Sequence, residues 1–289
     1  MKSAFCLQAV TKRYPAREKA PGFALGPLNL SLPGGCILGL IGENGAGKTT
    51  TLKMMLGLTR KSGGHIELLG RPAGDETTRA HIGAVLDGVC FPGEMNARQV
   101  GRMLEKLYPS WRMGAWQMWC RRFQLPEEKK IAAYSKGMQQ KLMLAAAFSH
   151  DSRLLLLDEA TSGLDPVARD ELLDTLRDFV SDENHSVLLS SHLVEDVQKV
   201  CDYVALLHRG QLLFCEEKDR LLESFALVQG PKDVLMQLSN RRGLRENAFG
   251  ATALVPRTQV PSGLIWQPAG LEDIMLYTLR GDHHERTAV

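Results

Sequence analysis

An α/β fold built on a mostly parallel sheet is the architecture this sequence predicts. Antiparallel strands open it, a helical insertion interrupts it, and a small C-terminal α+β extension follows. Three observations carry the prediction. Short apolar runs alternate with helical stretches, which places strands in a parallel sheet covered on both faces. A glycine-rich loop joins one such strand to a helix. The tract 96–150 is helical in pattern and poor in strands, so it reads as an insertion.

The elements follow in order. Residues 5–10 alternate as an opening strand, and Pro33-Gly34-Gly35 makes a turn into the apolar run 36–41, a buried strand. Residues 49–58 have helical composition. Gly63-Gly64 and Gly70 bracket a strand at 65–69, and 82–86 is another apolar run. Four consecutive leucines make 153–157 a buried strand. Helix 167–180, strand 186–190 and helix 193–201 continue the alternation. Residues 203–207 and 211–214 form a hairpin across Arg209-Gly210. Beyond Lys218 the composition changes: Pro231, Pro256 and Pro261 punctuate two weak strands, 251–255 and 263–267, and a terminal helix covers 271–279. The expected domains are therefore 1–220, with a helical subdomain at about 88–150, and an extension at 221–289.

At 289 residues the chain is long enough to bury about three quarters of its unfolded surface, so no disulfide or metal is needed for a core. A net charge of +2 is too near neutral to point to nucleic acid as a partner. Six cysteines without a C-x-x-C pair form neither a zinc ribbon nor a redox motif, which suits a reduced thiol set. The N-terminus meets charge too early for a signal peptide, and no apolar run approaches the roughly 18 residues that span a bilayer. The expected location is the cytoplasm, with any membrane met through a partner.

Residues 42–49 read GENGAGKT, fitting G-x-x-x-x-G-K-[ST] between strand and helix. Gly42, Gly45 and Gly47, with Asn44 between them, let backbone N–H groups turn into one anion-sized hollow at the positive end of a helix. Lys48 adds a compact charge for the β and γ phosphates of a nucleotide. The Thr49 hydroxyl suits Mg²⁺, and Thr50 follows it at the helix start. Chance supplies such a string in roughly one chain in a hundred of this length.

Asp158 and Glu159 end the leucine strand. Ligands in such sheets lie outside the carboxyl ends of the strands, and alternation gives neighbouring acids different directions. Asp158 is therefore read as a Mg²⁺ ligand and Glu159 as the group that polarises an attacking water. A helix N-cap with a first-turn acid is the plainer alternative. His192, after strand 186–190, lies near the same edge and suits a γ-phosphate contact, although a lone histidine is more often structural.

These motifs, in this order, resemble an ATP-binding subunit of an ABC transporter over about residues 4–220. Tyr134-Ser135-Lys136-Gly137-Met138-Gln139 resembles the family's signature motif, Ser162-Gly163-Leu164-Asp165 its D-loop, and Ser190-Ser191-His192 its switch histidine. The resemblance implies a P-loop NTPase core, ATP and Mg²⁺ as bound groups, and Tyr14 stacked on adenine. It also implies a head-to-tail dimer, with ATP between one phosphate loop and the Ser135 and Gly137 of a second subunit, and Asp165 among the nucleotide-binding residues. That second subunit is another copy or a paralogue. A separate integral membrane permease is the implied partner, at the inner face of the cell membrane.

Departures from the pattern bear on activity. Asp87 stands where the family has the Q-loop glutamine; its carboxylate can reach Mg²⁺ or repel the γ phosphate. Met138, Lys136 and Ala160 also differ. An ATP-binding regulatory subunit with little hydrolysis is the second reading. A nucleic-acid or ribosome role would need a long coiled-coil insertion or two phosphate loops. Trp111, Trp116, Trp119 and Phe123 form either a docking groove or, more simply, the insertion's own core. The closing helix resembles that of drug, antibiotic-resistance and bacteriocin-type exporters. His283-His284 reads as a solvated tail.

Overall fold

The computed structural model describes residues 3–16, 22–88, 91–247 and 250–286, without the side chains of 247 and 281–286, so the His283-His284 pair lies outside the described side chains. The chain divides into two compact units, Met1–Cys215 and Glu216–Val289.

In chain order the first unit runs β1 (Ser3–Tyr14), β2 (Phe23–Pro33), β3 (Ile37–Ile41), α1 (Lys48–Met55), β4 (Gly63–Leu68), β5 (Arg71–Pro72), α2 (Glu76–Arg79), β6 (Ile82–Val85), α3 (Ala97–Leu107), α4 (Met113–Arg122), α5 (Lys136–Ala147), β7 (Leu154–Asp158), α6 (Pro166–Val180), β8 (Ser186–Ser191), α7 (Val194–Val200), β9 (Tyr203–His208) and β10 (Gln211–Glu217). Two sheets form. One has the order β2-β1-β4-β5 and the other β10-β9-β3-β8-β7-β6. In the second, β6, β7, β8, β3 and β9 run parallel.

Strand burial follows position. Strands β3, β7 and β8 are buried at every residue, as strands covered on both faces of a parallel sheet should be. Strand β2 was not expected from the sequence. Leu28, Leu30 and Leu32 alternate inward against exposed Asn29 and Ser31, but Gly26-Pro27 interrupts the pattern. Proline is tolerated there because β2 lies at the sheet's edge. Leu25, Leu28, Leu30 and Leu32 then pack with Phe5, Leu7, Leu38, Leu40, Leu154 and Leu188 in one core between the sheets.

The insertion starts on a capping box, Asn96 with Gln99, that satisfies two orphan donors of α3. Its tryptophans make its core. Trp116, Trp119 and Phe123 are buried, and Trp119 stacks on Phe148 of the segment after α5 at 4.8 Å between centroids. Trp111 is half-buried, 5.6 Å from Trp116. The aromatic face is thus internal packing, not a groove.

The second unit holds α8 (Lys218–Ser224), β11 (Phe225–Gly230), α9 (Lys232–Met236), β12 (Arg242–Asn247), β13 (Gly250–Pro256), β14 (Ile265–Pro268) and α10 (Leu271–Arg286). Its sheet has the order β12-β13-β11-β14, antiparallel throughout. The sequence suggested two of these strands. It missed β11, whose buried run Phe225–Val228 is too short to announce itself beside α8. It missed β12 because Arg242, Arg245 and Glu246 interrupt any apolar alternation. Among the described residues no helix is long and apolar enough to cross a membrane.

A candidate nucleotide site at the carboxyl edge of the sheet

Three neighbouring parallel strands deliver the site. The order β3-β8-β7 sets their carboxyl ends side by side, with Ile41 opposite Ser191 and Asp158 opposite Ser190. The loop after β3, the two acids ending β7 and the histidine after β8 therefore meet at one edge.

Gly42 opens the loop where no side chain fits: a Cβ would sit 2.2 Å from the Leu207 carbonyl oxygen. Asn44 and Gly45 are exposed at its crest. Helix α1 begins at Lys48 after Gly47, with no side chain capping it, so its first-turn amides are left for a ligand. Lys48 is buried to 6% exposure, and its Nζ donates to the Gly42 carbonyl at 2.7 Å. Thr50 is half-buried one residue beyond Thr49.

The carboxylates are held differently. The Thr49 hydroxyl donates to Asp158 Oδ2 at 2.6 Å, and the Ser190 hydroxyl donates to Oδ1 at 2.5 Å. Both oxygens of a carboxylate that is 1% exposed are thereby satisfied. Glu159 has φ of 50°, the left-handed region that a non-glycine residue avoids. Its backbone is held there, N–H to the Ser190 carbonyl at 3.0 Å and C=O to the Ser162 N–H at 2.9 Å. That twist turns Glu159 away from the line of Asp158. Its Oε2 lies 2.6 Å from His192 Nδ1, and its Oε1 lies 3.4 Å from Lys48 Nζ. Oε1 is buried and unaligned for a hydrogen bond, an acceptor facing the loop.

A second group of predicted residues sits at two helix starts. Ser135 caps α5, its hydroxyl accepting from the Met138 N–H at 3.2 Å, and Asp165 caps α6, accepting from the Ala168 N–H at 2.9 Å. That amide, with Lys141 nearby, holds the Asp165 carboxyl below its ordinary pKa. The two starts pack together: a Cβ on Gly137 would lie 2.8 Å from the Gly163 carbonyl oxygen, and Lys141 Nζ is 3.7 Å from Asp165. Ser135 and Asp165 are exposed. Tyr14 ends β1, 40% exposed, with Lys12 Nζ 4.8 Å above its ring. Asp87 is exposed two residues past β6. Among the described residues neither Tyr14 nor Asp87 hydrogen-bonds to the loop or its acids. The sequence missed Ser190 as a site residue. Its signal was the parallel register with Asp158, which only strand pairing reveals.

The donors suit a hard cation. A hydroxyl and a carboxylate oxygen 2.6 Å apart at the mouth of a phosphate loop match Mg²⁺, which takes few protein ligands and shares the rest with phosphates and water. Glycine-lined amides and a buried lysine match the phosphates themselves.

Comparisons with known proteins agree with this geometry. The family model described as "ABC transporter" matches residues 25–162. An ATP-binding subunit of an ABC transporter of known structure superimposes with a TM-score of 0.67 at 26% identity, over 75% of this chain and 91% of that one. The bacitracin transport ATP-binding protein BcrA of Bacillus licheniformis is 31% identical over 71% of this chain and 66% of its own length. The uncharacterized ABC transporter ATP-binding protein YhcH of Bacillus subtilis is 30% identical over 91% of this chain and 87% of its own length. Likeness across nearly the whole of both chains, joined to the loop and acids described above, means that this chain belongs to the ATP-binding proteins of ABC transporters.

Proposed function

We propose that this chain hydrolyses ATP to ADP and phosphate as one half of a head-to-tail dimer and so drives a separate membrane permease in export. The observation that carries it is Glu159 set between Lys48 and His192, at 3.4 and 2.6 Å. In this reading Glu159 polarises the attacking water, and His192 orients Glu159 and senses the γ phosphate. Lys48 leaves the Gly42 carbonyl for the β and γ phosphates. Thr49 and Asp158 would hold Mg²⁺, which would supply neutralisation of charge on the transferred phosphoryl group. Asp87 would add a carboxylate to that cation, directly or through water. Gly42, Asn44, Gly45, Gly47 and Thr50 line the phosphates, and Tyr14 stacks on adenine with one face exposed.

The dimer reading is supported by the exposed caps Ser135 and Asp165, which sit on paired helix starts. Ser135 and Gly137 of one subunit close over the nucleotide of the other. The permease reading is supported by an apolar groove of about 320 Å³ beside β6, lined by Leu56, Leu58, Leu86, Tyr108 and Met143. Leu58 there is 64% exposed, a large apolar side chain awaiting cover. Similarity to a bacitracin transport protein supports a transport role, and the resemblance of the closing helix to that of exporters favours export.

The test is steady-state ATP hydrolysis with Mg²⁺ across protein concentration, beside Glu159→Gln. Loss of a general base costs on the order of 10²–10⁴ in rate. Activity rising more than linearly and vanishing in the variant is expected. Equal turnover by both proteins would remove Glu159 from the mechanism; binding without turnover in the wild type would make the chain regulatory or dependent on its permease, which the assay repeated with the membrane subunit separates.

A further inference from the structure

We propose that Arg169 and Asp196 are positioning residues that lock the start of α6, where Asp165 sits, to the start of α7, just beyond His192. The inference rests on the hydrolytic reading above and deepens it. Arg169 Nε donates to Asp196 Oδ1 at 2.5 Å, and Asp196 is 1% exposed. Each partner lies four residues past a proposed site residue: Arg169 past Asp165, whose carbonyl accepts the Arg169 N–H at 2.9 Å, and Asp196 past His192. One helical turn thus separates the ion pair from the dimer-facing acid on one side; on the other, Asp196 is the third residue of α7, and His192 lies just before Leu193 at its N-cap position.

The pair has few substitutes. Asp196 Oδ2 is buried with no hydrogen-bond partner among the described residues, so this carboxylate depends on the Arg169 cation. Glu195, 92% exposed and 3.8 Å from Arg169, is screened by solvent. Farther from the site, Lys199 and Asp170 join the same two helices at half-exposed positions. The arrangement separates two roles. Exposed Lys199–Asp170 fastens helix to helix, and buried Arg169–Asp196 fixes where the helix starts point. A shift of Asp165 as the dimer closes is passed through the pair to His192, and so to Glu159.

The experiment compares Asp196→Asn, Arg169→Met and the control Lys199→Ala in the full chain. Expected is a fall in kcat of roughly ten-fold for the first two with KM for ATP unchanged, and wild-type kinetics for Lys199→Ala. Hydrogen exchange supplies a readout independent of activity. In Asp196→Asn, amides at 162–168 and at 192–196 should both exchange faster, although the substitution lies in only the second segment. Faster exchange confined to 192–198, or a kcat like that of wild type, overturns the coupling. If wild type and Glu159→Gln turn over alike, the hydrolytic reading fails, and the exchange result still decides whether the two helix starts are joined.

Discussion

His192 Nδ1 lies 2.6 Å from the Oε2 of Glu159, a residue held at φ of 50°. The two come from adjacent strand ends 33 positions apart in sequence. Backbone strain of about 1–3 kcal/mol is sustained where surrounding contacts over-determine the conformation. Here those contacts are the two backbone hydrogen bonds to Ser190 and Ser162. His192→Ala should therefore lower kcat on the order of 10² while nucleotide binding persists. Steady-state rates beside equilibrium binding of ATP check this, and a parallel loss of binding would place His192 in the ground-state contacts instead.

Ser190→Ala should weaken the cation site without touching it. The substitution leaves Asp158 Oδ1 buried without its donor, costing about 1–3 kcal/mol. The Mg²⁺ concentration that gives half-maximal activity is expected to rise. A magnesium titration of both proteins measures it, and coincident curves would show that Thr49 alone orients the carboxylate.

Gly137→Ala brings a methyl to 2.8 Å from a backbone oxygen, that of Gly163, so the starts of α5 and α6 must part. In a Glu159→Gln background this should reduce the ATP-dependent dimer about ten-fold while each subunit stays folded, because 1.4 kcal/mol is one decade. Sedimentation with and without ATP reports the outcome.

Cys120 should resist alkylation. Burial, with the Glu127 carboxylate adding, pushes its thiol up to about 12. At neutral pH almost no thiolate forms, whereas Cys6, Cys36 and Cys215 are only half-buried. Mass spectrometry after a thiol reagent should find Cys120 unmodified until denaturant is added.

His150 makes stability depend on pH. Burial against Tyr108, whose ring it stacks on at 4.5 Å, lowers its pKa, and the Ala80 carbonyl opposes that shift. The unfolded chain binds the proton more readily. The contribution of neutral His150 is thus full above about 6.5 and is lost as pH falls from there toward the lowered value. The drop in Tm between about pH 7.5 and about pH 5.5 should be smaller in His150→Phe than in wild type. An unchanged drop would assign the acid sensitivity to other groups.

The phosphate loop was legible because its chemistry is local. Glycines, lysine and threonine at fixed spacing carry their geometry with them, and Lys48 and Thr49 lie where the motif puts them. Ser135 and Asp165 were picked out only through the motifs they resemble, and the structure adds that each caps a helix, bonding three residues ahead. The tryptophan spacing was ambiguous, because a helix face looks alike whether it meets its own domain or a partner. Burial of Trp116 and Trp119 resolved it.

By itself, then, the sequence determined the alternating strand–helix class, the anion-binding loop and the two acids that end a buried strand. Only the tertiary structure decided what those acids touch. The Ser190 hydroxyl on Asp158, the left-handed turn that sends Glu159 toward Lys48 and His192, and the Arg169–Asp196 pair all join residues at least 27 positions apart. Each depends on which strands lie side by side and in what register. The edge strand β2 and the strands β11 and β12 of the second unit were hidden likewise, because a strand is completed by hydrogen bonds to partners that its own residues do not name.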